Sequence, residues 1–433
     1  MSMRSAWLVL AALCAVRLTV AATTGIIEDE AYYWTWSRTL AAGYLDHPPG
    51  IPFLIRASSA LFGATSIGVR GAAVVAAISA AGILLPRAGN RALYLLLVAG
   101  IPLFTLGGIL ATPDVPLLLG WAIALRGGLD RNWLLAGVGV GIAGLGKLTG
   151  YGLWPLLFLG SPRDWRRMLP GVALALVVLA PNLWWNASHD WVTWRFQLRH
   201  GLDSDALGPA LFLLGQSAVV TPVLFGAMVA WWGSAWKTER MLVATSLPVM
   251  VFFTLAAARG AGEANWAAPA YLSAVVGLSR AGGRIQRAAW LGGGMAACFS
   301  LAVVVHLYTP VVDFPGDPTG RLGVGRDLAQ SVQAWGVQPV YTERYQEAAL
   351  IEYYAGVPAL ALPGGSRPTQ SDLSPFPDAE HALFVRPYRS GPTLPSDRFC
   401  ADHGGANVVT EHNADGSVID RWQVYEVEGC RGP

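Results

Sequence analysis

A polytopic α-helical membrane bundle followed by a small α/β domain is the fold class that the sequence predicts, and three observations predict it. Hydrophobic residues make up 53% of the chain and charged residues only 13%, about half the charged share of a soluble domain. Long apolar stretches recur through the first 308 residues. Beyond that point, short strand-like runs alternate with amphipathic segments. The net charge of +2 and the absence of a basic stripe argue against a nucleic-acid binder.

The apolar stretches run approximately Ala6–Val20, Ser66–Leu85, Ala92–Leu110, Val115–Leu125, Leu134–Leu145 and Tyr151–Leu159, then Leu169–Trp185, Leu211–Trp232, Leu242–Ala258, Trp266–Leu278 and Ala289–Leu307. They predict about eleven membrane-spanning helices, several shorter than the ~20 residues of a full span. The short pieces around Gly150 fit one broken helix. The first stretch, behind Arg4, has the form of a signal peptide with a small-residue cleavage site. Arg17 interrupts it and many apolar spans follow, so it is read as a retained first helix.

Between the first two stretches lies "YYWTWSRTLAAGYLDHPPGIPFLIRASSALFG", too polar and aromatic to span a bilayer. Tyr32, Tyr33, Trp34 and Trp36 are residues that settle at headgroup level, which predicts helices lying along the interface.

Loop charges set the orientation. Arg87 and Arg91, Arg126 and Arg131, Arg163, Arg166 and Arg167, Lys237 and Arg240, then Arg280, Arg284 and Arg287 fall on alternate connections. Basic connections stay cytoplasmic, so the N-terminus is expected inside. The opposite connections hold Asp29, Glu30, Asp46, Asp114, Asp190, Asp203, Asp205 and Glu263. These carboxylates are therefore expected on the outer face of the membrane.

From Thr309 onward, "GRDLAQSVQAWG", "QPVYTE", "YQEAALIEYYAG", "ALALP", "ALFVRP", "NVVTEH" and "DRWQVYEVEG" predict strands with interposed helices. Residues 1–308 are expected to form the membrane domain and residues 309–433 a small α/β domain on the outer side, beside the carboxylates. Cys14 and Cys298 lie in apolar segments and read as packing residues. Cys400 and Cys430 could pair if the tail faces an oxidising compartment.

Three kinds of residue could carry chemistry. Asp29 and Glu30 sit where lipid, water and protein meet, although an acid opening a helix is also an ordinary N-cap. Asp114 opens an apolar span behind Pro113, and two acids at helix starts on one face predict one shared cavity. Lys147 lies in an apolar stretch, where a lysine is costly and needs an anionic partner. Arg195, Arg199 and His200 lie on an outer loop and Arg259 ends a helix; arginines there also snorkel to headgroups. Outer acids with outer cations suit transfer of a sugar from a lipid-linked phosphate. A carboxylate takes the acceptor proton, a cation stabilises the departing phosphate, and attack inverts the anomeric carbon.

"DEAYYWTWS", "GYLDHPPGIPFLIR", "LATPDVPLLL", "GKLTGYGLWPLL", "PNLWWNASHDWVTWRFQLRHG" and "GEANWAAPAYL", in this order, resemble the bacterial glycosyltransferases of the protein O-mannosyltransferase and aminoarabinose lipid A transferase type. Those are membrane enzymes of the GT-C fold that use polyprenyl-phosphate sugars. The resemblance implies that Asp29 is the catalytic base, Glu30 its neighbour and Asp114 a second acid of the active site. It implies donor phosphate binding at His47, Lys147 and Arg259, and Tyr151, Arg195, His200 and Asn265 are further candidates for binding the donor's phosphate or sugar. His47 stands where the aminoarabinose enzymes have a lysine, in "DHP" rather than an "EKP"-like motif, which leaves the sugar open.

No cofactor is implied beyond an undecaprenyl-phosphate sugar. Asp46 with His47 is a weak metal signal. The expected partners are that donor, a lipid A, lipopolysaccharide-core, other glycan or protein acceptor, and membrane lipids, with the chain acting as a monomer. Two alternatives are a GT-C glycan polymerase or ligase and a lipid-linked sugar transporter or flippase.

Overall fold

Runs of leucine, alanine, valine and glycine become helices in an apolar medium, because the backbone must satisfy its own hydrogen bonds there. The structure is a computed structural model that describes residues 1–200, 208–259, 262–309, 317–362, 368–373, 377–390, 399–412 and 418–431. Every apolar stretch named above is mainly helical, several with a break inside. The first half contains α1 (Met3–Thr23), α2 (Glu28–Arg38), α3 (Gly50–Phe62), α4 (Ser66–Leu84), α5 (Arg91–Gly100), α6 (Pro102–Leu106), α7 (Asp114–Asp130) and α8 (Trp133–Gly146). The second contains α9 (Leu153–Gly160), α10 (Trp165–Ser188), α11 (Val192–His200), α12 (Pro209–Val220), α13 (Pro222–Ala235), α14 (Arg240–Ala244), α15 (Leu247–Ala256), α16 (Ala268–Arg280) and α17 (Gly283–Tyr308).

The expected count of about eleven membrane helices, several of them shorter than a full span, is not confirmed. Among the described residues, 4 helices are long and apolar enough to cross a membrane, or up to 5 if the bent pair α12–α13 is one span. Proline explains the breaks, since it lacks a backbone N–H and pushes the preceding residue out of helical conformation. Ile101 is extended before Pro102, and Thr221 takes φ 78° before Pro222, where α12 and α13 meet at 109°. The stretch around Gly150 is broken at Lys147, which adopts φ −145° and ψ 154° between α8 and a 3-10 turn at Leu148–Gly152. As expected, α2 and α3 are short helices inserted between α1 and α4.

Small residues set the closest packing. Gly120 of α7 and Gly139 of α8 face one another, and a Cβ on either would collide with the other helix's backbone. Such contacts let helices approach without side chains in between.

All five basic connections meet at one end of the bundle. Arg87 and Arg126 both pair with Asp130, Arg131 lies 3.5 Å from Asp164, and Arg280 is 2.7 Å from Glu239. Arg280 Nε also donates to the Arg87 carbonyl at 2.7 Å, and Arg240 Nε to the Leu159 carbonyl at 2.9 Å.

After α17 come α18 (Arg326–Trp335), β1 (Val340–Thr342), α19 (Tyr345–Ala355), β2 (Ala359–Ala361), β3 (Ala379–Pro387), β4 (Asp402–His403), β5 (Asn407–His412) and β6 (Val418–Cys430). They form one 6-stranded sheet in the order β2-β1-β3-β6-β4, with β5 also on β6. The first strand runs parallel to β2 and β3, and β6 antiparallel to β3, β4 and β5. Cys400 and Cys430 are joined in a disulfide. Leu328, Ile351, Val385 and Trp422 of this region share one apolar cluster with Ile26, Trp34, Trp36 and Ile55, in or beside α2 and α3. Gly323 N donates to the Ile26 carbonyl at 2.9 Å. The sheet region is therefore seated on α2 by a shared core.

Candidate active site

Three consecutive acids open α2, and helical rotation of about 100° per residue sends them to three different partners. Glu28 accepts from Arg321 Nε at 3.1 Å. Asp29 Oδ1 accepts from the Tyr345 hydroxyl at 2.9 Å. Glu30 turns inward and takes Arg70 Nε on Oε1 at 2.7 Å and Arg70 Nη2 on Oε2 at 2.5 Å. Ala111 N also donates to Glu30 Oε1 at 2.8 Å and Ile27 N to Oε2 at 3.1 Å.

The side chains of Glu30 and Arg70 have no exposed surface. So enclosed, Glu30 ties the start of α2 to Arg70 and to the Ala111 backbone. Asp29, half-buried, lines a cavity of about 1260 Å³. Its wall is mostly apolar, with Leu106, Phe299, Val303 and Leu307 among the lining residues. Glu28, Arg321 and Tyr345 give it a polar end beside Asp29.

Asp114 opens α7 and draws together two further residues singled out in the sequence. Lys147 Nζ donates to Asp114 Oδ1 at 2.8 Å, and Asn265 Nδ2 to Oδ2 at 2.9 Å. The helix break at Lys147 turns its ammonium toward α7, so the anionic partner expected for this lysine is Asp114. Asp114 and Asn265 line a smaller cavity of about 170 Å³, shared with Arg17.

The expectation of a single cavity for both acids is corrected. Asp29 and Asp114 line two cavities that adjoin at Leu110, which borders both. Between them runs the segment 106–112, in which Leu106 and Ile109 face the larger cavity, Gly107, Gly108 and Thr112 the smaller, and Leu110 both. It is pinned in place by the bond from Ala111 N to Glu30.

The remaining residues lie apart from both cavities. His47 is half-buried, with Gln197 Nε2 at 3.5 Å from its Nδ1 and its ring edge-on to Tyr33 at 6.1 Å. Tyr151 donates to Asn182 Oδ1 at 3.1 Å and meets the Trp194 ring at 5.1 Å. Arg195 and Arg259 are exposed and line neither cavity. The His200 side chain lies outside the described residues. Among the described residues there is no group of three or more His, Cys, Asp or Glu that could hold a metal ion, so Asp46 and His47 have no third ligand of that kind.

Sequence reasoning missed Arg70, Arg321 and Tyr345. Arg70 had a signal, a lone arginine inside an apolar stretch, which is costly without a partner. Nothing in the local sequence of Arg321 or Tyr345 ties them to α2.

A helical bundle whose acids and cations gather away from its basic connections, beneath a seated α/β region, has the architecture of the GT-C membrane glycosyltransferases. Comparison with known proteins upholds the resemblance to this class. The model of the dolichyl-phosphate-mannose-protein mannosyltransferase family matches residues 46–185. The chain is 32% identical over 296 residues, 58% of its length, to lipid A galacturonosyltransferase RgtD of Rhizobium johnstonii, and spans 60% of that protein. Crystal structures of ArnT from Cupriavidus metallidurans superpose over 98% of both chains. The apo form has TM-score 0.68 at 16% identity, and the form bound to undecaprenyl phosphate has 0.69 at 17%.

Proposed function

We propose that the chain is an inverting glycosyltransferase that moves a sugar from a polyprenyl-phosphate donor to an acceptor on the periplasmic face of a bacterial inner membrane. The observation that carries this reading is Asp29 at the polar end of a cavity of about 1260 Å³ with a largely apolar wall. A long isoprenoid fits such a wall, and a carboxylate at its end meets the headgroup chemistry. Residues 1–308 would form the catalytic membrane domain and residues 309–433 its periplasmic partner. The names of RgtD, a lipid A galacturonosyltransferase, and of ArnT bound to undecaprenyl phosphate favour lipid A as acceptor and undecaprenyl phosphate as carrier. Galacturonic acid is the first sugar to try.

In this scheme Asp29 takes the proton of an acceptor hydroxyl as the oxygen attacks the anomeric carbon. The bond from that carbon to the phosphate oxygen breaks, and the configuration inverts. Lys147, held by Asp114 at 2.8 Å beside the neighbouring smaller cavity, is the cation assigned to the departing phosphate, whose growing charge it stabilises. This assignment requires the donor headgroup to reach across Leu110, the residue that borders both cavities. If the acceptor is itself a lipid A phosphate, it is already anionic, and Asp29 orients it instead of deprotonating it.

The test is Asp29→Asn, scored by mass spectrometry of lipid A and other envelope glycans in cells lacking the native copy. Loss of the transferred sugar, with normal amounts of folded protein in the membrane, is expected. A normal glycan profile in that strain rejects the assignment.

A further inference from the structure

Tyr345 lies 316 residues from Asp29 in sequence, yet its hydroxyl donates to Asp29 Oδ1 at 2.9 Å. It opens α19, the helix of the sheet region that packs along α2. Its ring sits 4.4 Å from that of Tyr32, and only 8% of its surface is exposed. With Gln346 it borders the same cavity as Asp29. A second grip lies close by: Gln370 accepts from Leu45 N at 2.8 Å and donates through its own N–H to the Tyr32 hydroxyl at 2.8 Å.

The ring alone would serve the packing against Tyr32, and phenylalanine would supply it equally. The hydroxyl adds something packing does not require. A donor aimed at a carboxylate fixes its rotamer and favours its ionised form.

We propose that Tyr345 is a positioning residue for sugar transfer, aiming the Asp29 carboxylate into the cavity and keeping it ready to accept a proton. The C-terminal region thereby completes the active site and does more than cover it. This inference rests on Asp29 being the base, as assigned above.

Tyr345→Phe keeps the ring and removes the hydroxyl. Rates are measured in membranes of a strain that lacks the native copy and supplies its own lipid-linked donor, with lipid A added over a range of concentrations and pH. The maximal rate should fall about tenfold and the acid limb of the pH–rate profile should move up by about one pH unit, with half-saturation by lipid A unchanged. A profile superposable on that of the unaltered chain overturns the proposal. So does a rate loss with an unmoved acid limb and a lowered unfolding temperature, which would mark Tyr345 as a packing residue only. Asp29→Asn is run alongside: full activity in that variant removes the base assignment itself, whereas an inactive Asp29→Asn beside a normal Tyr345→Phe removes only the part given to Tyr345.

Discussion

Replacing Arg70 with methionine should unseat the start of α2. The guanidinium donates to Glu30 at 2.7 and 2.5 Å, to Thr24 Oγ1 at 2.8 Å, to the Thr24 carbonyl at 3.2 Å and to the Gly25 carbonyl at 2.8 Å. Methionine fills much of the same space and offers none of these donors. Glu30 would keep its bonds from Ile27 N and Ala111 N but lose its cation in a site without exposed surface. Stranding one partner of a buried pair costs about 3–5 kcal/mol, which is roughly 200- to 4,000-fold in the unfolding constant. The measurement is unfolding of the purified chain in mixed micelles by titration with sodium dodecyl sulfate, followed by tryptophan fluorescence. Adding Glu30→Gln to Arg70→Met removes the stranded charge and should restore about 1–3 kcal/mol. A cost below about 1 kcal/mol for Arg70→Met, the worth of an exposed ion pair, would refute the view that this pair fixes the mouth of the site.

Other expectations follow from the same geometry. Lys147→Ala should weaken binding of undecaprenyl phosphate by about tenfold, the worth of one charge-assisted hydrogen bond; an unchanged affinity removes Lys147 from the phosphate site. Cys400 and Cys430 close a loop across 30 residues, which contributes about 3.5 kcal/mol. Replacing both with serine should speed hydrogen exchange along β6, and unaltered exchange there would count against that value. Burial pushes the Glu347, Glu352 and Glu411 carboxyls above the usual carboxylate range. A carboxyl raised in the folded state gives stability that is complete below its unfolded pKa, about 4.3, and lost as pH rises through the higher folded value. Protection of β3 and β6 in the intact chain should therefore grow as pH falls from about 7 toward about 5, after correction for intrinsic exchange, and Glu347→Gln should flatten that trend. Protection that declines over this window would contradict it.

Much of this architecture was legible in the sequence because its causes are local. Apolar runs become helices wherever they sit in a bilayer, and the five basic connections had to share a side, as the Arg87–Asp130 and Arg280–Glu239 pairs bear out. Lys147 announced an anionic partner, and Asp114 lies 2.8 Å away. What was illegible depends on distant contacts. Glu28, Asp29 and Glu30 look alike as neighbours, and their fates are decided by partners 293, 316 and 40 residues away. The bond from Ala111 N to Glu30, next to the two cavities, joins residues 81 apart and has no sequence signature. The strand β4 is only two residues long, too short for any alternation to reveal.

The last apolar helix has two attachments with a joint consequence. Phe299, Val303 and Leu307 of α17 flank the larger chamber, and the terminal Tyr308 shares a hydrogen bond of 2.5 Å with Thr23 at the end of α1. A guest in the chamber would therefore lie against the same helix that is clasped to α1 at Tyr308.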